Sequence, residues 1–287
     1  MSYVILTDSA CDIAPDLLAA WGVFTKSLTF KFTDSDIEYS NEDMPVSEFY
    51  EQMRQKRVAK TAAINVDVFK LFFEEHLKAG NDVLYLGFSS GLSNTYNASR
   101  LAAAQLTEAY PDRKVIAVDT LCASAGQGLL VKLAVDQKNA GASIEAAAKF
   151  VEDNRLLLCH WFTVEDLDYL KRGGRVSPLV ALAGNLLGIK PILHVDNEGH
   201  LVKMGTARGR RGSLLALVQK YDELAIDPKA GPVYICQADC RADADLLATM
   251  LKDKHGVEVE VITDIGPVIG AHAGPGTIAI FFLGKER

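Results

Sequence analysis

Apolar residues recur along this chain with two different periods. Short, nearly continuous apolar runs at residues 3–7, 83–87, 115–119, 233–236 and 277–282 read as buried strands. Longer stretches between them carry helical spacing. Val46, Phe49 and Met53 mark one face of a helix over 45–57, Asn65 suits the N-cap of a helix running to about Lys78, and an alanine-rich helix reaches about Ala109. Further helices are expected from about Pro15, Gly126, Ser143, Arg210 and Asp243. Strand-like runs at 23–32, 58–61, 156–164 and 258–262 complete the pattern, with a partly helical apolar stretch at 179–187. Thr163 and Asp166 form a candidate capping box ahead of Leu167.

The order of these elements predicts the architecture. Strands alternating with helices in the first half imply right-handed crossovers and a mainly parallel sheet. In the second half, the turn Asp196-Asn197-Glu198-Gly199 joins 191–195 to 201–206 as a hairpin, so the second sheet should be mixed. At 287 residues the chain is long for a single core. The expectation is an α/β fold of two α/β domains, 1–157 with a mainly parallel sheet and flanking helices, and 158–287 with a mixed sheet. Ligands bind such sheets beyond the carboxyl ends of the strands. Asp8-Ser9, Lys60-Thr61, Ser89-Ser90 and Asp119-Thr120 all fall at predicted strand ends.

Charge and composition narrow the function. A formal net charge of −7 argues against a nucleic-acid-binding surface. No apolar run approaches the ~20 residues that span a bilayer, and the first residues lack the basic region and apolar run of a signal peptide. The five cysteines are scattered, without Cys-x-x-Cys spacing, and read as reduced thiols of a cytoplasmic protein. There is no His or Cys set at metal-ligand spacing and no Walker loop, so neither metal nor cofactor is expected.

Four segments carry the candidate chemistry. Residues 265–276 hold one imidazole, His272, among two prolines and four glycines, read as a glycine-rich turn that brings backbone close to a ligand. Gly87-Phe88-Ser89-Ser90-Gly91 sits between a strand and a helix. It matches the nucleophile elbow of a serine hydrolase, with Asp264 and His272 following in the order Ser, Asp, His. The same serines, with Ser93, also suit an anion site at a helix N-terminus, for which a carboxylate is the simplest ligand. Lys171-Arg172-Gly173-Gly174-Arg175 and Arg208-Gly209-Arg210-Arg211 gather cations that would face an anionic group or an acidic partner.

In this order the segments resemble the DegV family, whose characterised bacterial members are fatty-acid-binding proteins of the FakB type. The resemblance runs nearly end to end. It covers Thr7-Asp8-Ser9 with Asp12, Lys60-Thr61, Ser89 to Tyr96, Asp119-Thr120 with Gly126 and Gly128, the Lys171–Arg175 cluster, Lys190 to Leu193, Arg208-Gly209 and residues 266–276. It implies two α/β domains with a long-chain fatty acid in an apolar tunnel and its carboxyl in a polar pocket between them. Thr61, Ser93 and His272 match the carboxyl-binding positions, with Ser90, Arg172 and Arg208 nearby or facing a partner. That partner would be a separate ATP-dependent fatty acid kinase making acyl phosphate for acyltransferases of phospholipid synthesis, while the carrier performs no chemistry. One segment departs from the family pattern. Ala62-Ala63-Ile64-Asn65 stands where Ser-Gln-Pro-Ser is usual, which should alter the polarity of the pocket.

Overall fold

The run β1 (Tyr3–Asp8) is buried along almost its whole length, as a strand covered on both faces must be. It pairs in parallel with β2 (Val23–Lys26), reached through a short 3-10 turn and α1 (Pro15–Ala20). The computed structural model describes residues 2–176 and 188–287; the apolar stretch at 179–187 lies outside them.

The expected strand at 23–32 divides in two. Ser27 and Leu28 form a corner, where the Leu28 N–H donates to the Ser9 hydroxyl at 3.0 Å. Beyond it β3 (Thr29–Phe32) pairs antiparallel with β4 (Tyr39–Ser40). After α2 (Val46–Arg54), β5 (Ala59–Ala62) joins β3 from the other side, again antiparallel. This makes a small three-stranded sheet absent from the sequence-based expectation. Thr61 therefore lies within that sheet and not at the end of a parallel strand.

The parallel sheet resumes after α3 (Val66–Lys78), which Asn65 caps by accepting from the Val68 N–H at 3.0 Å. Then come β6 (Asp82–Gly87), α4 (Thr95–Ala109), β7 (Val115–Asp119), α5 (Ala125–Asn139) and α6 (Ile144–Asn154). The order β2-β1-β6-β7 is parallel throughout, as expected from alternating strands and helices.

The second half supplies β8 (Leu158–Thr163), α7 (Leu167–Arg172), the hairpin β9 (Ile189–Val195) and β10 (Leu201–Arg208), and α8 (Gly209–Leu224). It continues with β11 (Val233–Gln237), α9 (Arg241–His255), β12 (Val261–Asp264), α10 (Pro267–Ala273) and β13 (Ile278–Leu283). These strands form a mixed six-stranded sheet, β10-β9-β8-β13-β11-β12. Thr163 does not complete a capping box; Asp166 alone caps α7, accepting from the Asp168 N–H at 2.8 Å.

The two sheets belong to one two-domain α/β fold, with α5 packed between them. That explains its composition. Gly126 and Gly128 leave room for His160, Phe281 and Ile13 on opposite sides, where any side chain would overlap. One apolar cluster runs from Leu86 and Val118 through Leu129 to Phe162 and Phe281.

Candidate ligand-binding site

Within the segment at 265–276, expected as a turn, Pro267–Ala273 forms a short helix with Pro267 in its first turn, and a turn follows only at 275–276. Three hydrogen bonds from the first half of the chain fix its start. The Gly266 N–H donates to Oδ1 of Asp12 at 2.9 Å, the Val268 N–H to Oδ1 of Asn41 at 3.0 Å, and the Tyr50 hydroxyl to the Ile265 carbonyl at 2.7 Å. The helix lies so close that a Cβ at residue 270 would overlap the Tyr50 ring, which is why glycine stands there. Burial pushes the Asp12 carboxyl up to about 8.

On this helix, Nε2 of His272 lies 2.8 Å from the hydroxyl of Thr61 on β5. Nδ1 is buried without a hydrogen-bond partner among the described residues and backs onto Gly173 at the end of α7, where a Cβ would overlap it. Burial and then the nearby Arg175 guanidinium push His272 down to about 4, so the imidazole is neutral at neutral pH. Arg175 is held by the carbonyls of Leu92 and Gly173, and burial lowers its own pKa.

Thr61, Ser93, Arg175 and His272 line a cavity of about 280 Å³. Leu28, Phe88, Leu92, Phe162, Val268 and Phe281 give it a mostly apolar wall, to which Ser124, His160 and Cys236 add polar atoms. A second cavity of about 280 Å³ shares Thr61, Arg175 and His272 with the first. Its remaining lining includes Lys60, Arg172 and Gly173. A mostly apolar space and one lined by Lys60, Arg172 and Arg175 thus share the Thr61–His272 pair.

Of the other expected residues, Arg172 lines the second cavity, whereas Ser90 and Arg208 line neither. Ser90 is exposed, its N–H bonded to the Asp119 carboxylate at 3.2 Å, and it lines neither cavity. Arg172 is exposed, with its guanidinium 5.1 Å from the Tyr169 ring centre. Arg208 is exposed at the start of α8 and also lines neither cavity. Arg210, from the same basic run, is committed to Asp243 at 3.0 Å and to the Gly276 carbonyl at 2.8 Å.

The serine-hydrolase alternative fails on geometry. Ser89 is fully buried and donates to the Gly199 carbonyl at 2.9 Å. Asp264 accepts from the Gln237 amide, and His272 engages Thr61. Each member has a different partner, so the Ser–His–Asp chain that such chemistry needs is not assembled. Among the described residues there is no cluster of His, Cys, Asp or Glu that could hold a metal ion. Among them also, no helix is long and apolar enough to cross a membrane.

A two-domain α/β protein with an apolar cavity headed by hydroxyl and imidazole groups is built to hold an amphipathic molecule. The chain belongs to the DegV family, described as uncharacterised, whose profile matches residues 2–285. It is 41% identical over 286 residues to a DegV domain-containing protein of Clostridium perfringens, covering 99% of this chain and 98% of that one. It is 32% identical over 293 residues to a fatty acid-binding protein of Thermotoga maritima, covering 100% and 99%. Among solved structures it matches a DegV family protein of Thermus thermophilus described by its fatty acid binding. The TM-score there is 0.89, with 29% identity and 99% and 100% coverage.

Proposed function

We propose that this chain is a bacterial carrier that holds one long-chain fatty acid in the apolar cavity. It would present the carboxyl group at the Thr61–His272 pair to a separate kinase. The observation that carries this reading is the apolar space closed at one point by a hydroxyl bonded to a neutral imidazole. A buried carboxylate is costly unless donors meet it. With the proton on Nε2, His272 donates to Thr61, whose own proton turns to the carboxylate, and the Ser93 hydroxyl supplies a second donor. The fatty-acid-binding relatives support the ligand class. Each buried methylene adds about 0.8 kcal/mol of driving force.

In the kinase reaction a carboxylate oxygen attacks the γ-phosphorus of ATP, the bond to the bridging oxygen breaks, and ADP leaves. The carrier takes no part in bond making, needs no cofactor, and hands the acyl phosphate to acyltransferases of phospholipid synthesis. Arg172, Arg208 and Ser90 would face the partner, and the exposed positions of all three suit that role. The domain boundary would fall at 157/158, just before the chain enters β8. The carrier would work in the cytoplasm.

Native mass spectrometry of freshly purified protein tests this reading. A stoichiometric fatty acid is expected. An empty protein that also takes up no fatty acid of any chain length would overturn it.

A further inference from the structure

The apolar cavity has polar groups at two separate places, and carboxyl binding uses only one of them. Ile265, Val268, Ile269 and His272 all line it, so a single face of α10 walls the cavity from the start of the helix to its last turn. His272 and Thr61 stand at the far end of that face. At the near end, Asp12 takes the Gly266 N–H at 2.9 Å and the Ser124 hydroxyl at 2.5 Å. The Ser124 hydroxyl is also 3.2 Å from Sγ of Cys236, and the neighbouring Ala123 N–H lies 3.4 Å from Nε2 of His160. From Gly266 to His272 the helix rises about 9 Å. Ser124, His160 and Cys236 are buried, and all three line the cavity. Nδ1 of His160 is 3.1 Å from the Leu158 carbonyl, which places the ring proton there and a lone pair on Nε2. Among the described residues the one donor near that lone pair is the long Ala123 contact. Burial pushes the His160 pKa well down and the Cys236 thiol up, so the ring is neutral and the thiol protonated. This end of the cavity therefore offers an under-used acceptor beside a hydroxyl and a thiol. It offers no cation: among the described lining residues the guanidinium of Arg175 is the only fixed positive charge, and it is bound to Gly173 beside His272.

We propose that the cavity selects an acyl chain carrying a hydroxyl near its middle, which donates to Nε2 of His160. The inference rests on the carrier reading, which puts the carboxyl at Thr61 and His272. An extended chain advances about 1.25 Å per carbon, so a separation of about 9 Å places the hydroxyl at about carbons 8 to 10. Other chains suit the groups less well. A second carboxylate would stand one hydrogen bond from Asp12 with no cation to meet it. A keto oxygen has no proton for the Nε2 lone pair. An unsubstituted chain covers that lone pair with methylene groups and leaves it poorly satisfied.

Three ligands of equal length test this: octadecanoic acid, 10-hydroxyoctadecanoic acid and 10-oxooctadecanoic acid, each titrated into delipidated protein. Wild type should bind the hydroxy acid at least as tightly as octadecanoic acid. It should bind the oxo acid about tenfold more weakly than the hydroxy acid, the worth of one neutral hydrogen bond. In His160→Leu, which removes the acceptor without enlarging the side chain, the hydroxy acid should lose about tenfold relative to octadecanoic acid. Weaker binding of the hydroxy acid than of octadecanoic acid by wild type overturns the proposal, as do equal changes for both in the variant. Should His160→Leu fail to fold, the wild-type comparison of hydroxy with oxo acid decides alone, and equal affinities there overturn the proposal. Binding of octadecanoic acid without the hydroxy acid defeats this inference and leaves the carrier reading standing. If none of the three acids binds wild type, the carrier reading fails and takes this inference with it.

Discussion

His272 is worth most to this protein uncharged. A protonated ring beside Arg175 would set two cations together in a poorly solvated place, and burial with that neighbour pushes the imidazole down to about 4. In the proposed carrier its work would be to aim the Thr61 proton, which the alkyl chain would not need in order to stay bound. His272→Ala is expected to lower phosphorylation by a fatty acid kinase at least about tenfold, the effect of losing one polar contact at a reacting group. Retained lipid, weighed by mass spectrometry, should change little. Complete loss of lipid from a folded variant would contradict this. Gly173 makes a complementary case. A methyl there meets Nδ1 of His272, so Gly173→Ala must displace the ring or the end of α7. Overpacking of this kind costs about 1–3 kcal/mol. The expected readout is a lower denaturant midpoint for the delipidated protein; an unchanged midpoint would show that the ring has room to shift.

At the scale of elements, the α10 helix depends on Asp12, whose carboxyl receives the Gly266 N–H and the Ser124 hydroxyl. Its folded pKa of about 8 lies well above the ~3.9 of an unfolded aspartate. Between those values the folded protein binds more protons than the unfolded chain, so this group costs stability progressively as pH rises from about 4 to about 8. Asp12→Asn keeps the bond from the Gly266 N–H, reverses the one with Ser124, whose hydroxyl then accepts from the amide, and removes the titration. Denaturant midpoints of wild type minus variant should therefore fall across that range; a difference that stays level would sink the argument. Much of the fold at this scale was legible in the sequence. The parallel strands and the hairpin announced themselves because buried runs and turn residues act locally. The three-stranded sheet did not, since it depends on a corner at Ser27 held by Ser9, a contact between distant residues. The α10 helix was hidden by its own glycines, which are there for close approach to Tyr50 and not for a turn. Of the expected carboxyl-binding residues, Thr61 stood out by family resemblance alone, whereas His272 and Ser93 were also singled out by their own glycine-rich and serine-rich segments. Nothing in the spacing of Asn41 or Tyr50 marked them as supports of the site.

Over the whole molecule, residues far apart in sequence converge on shared carbonyls. The Arg287 guanidinium donates to Leu121 at 2.7 Å, Asp196 at 3.0 Å and Leu158 at 3.1 Å, bridging the loop after β7 to the second sheet. Hydrogen bonds from a charged donor contribute about 1.5–3 kcal/mol each when well made, less where water competes. Arg287→Ala should lower the thermal midpoint by several degrees, measured by calorimetry on the delipidated protein. Fatty acid affinity should hold, because Arg287 lines neither cavity. The departing segment at 62–65 behaves similarly in being spread over several tasks. Ala62 and Ala63 line the apolar cavity, Ile64 is buried, and Asn65 caps α3. The meeting of the two cavities at Thr61 and His272 has a further consequence. It reproduces, within one folded chain, the step from oil to salt water that a lipid meets at the face of a bilayer. In the proposed carrier an acyl chain lodged there would be ordered as in a leaflet, tail inward and head at the boundary, so that a soluble enzyme would meet its head group without the membrane.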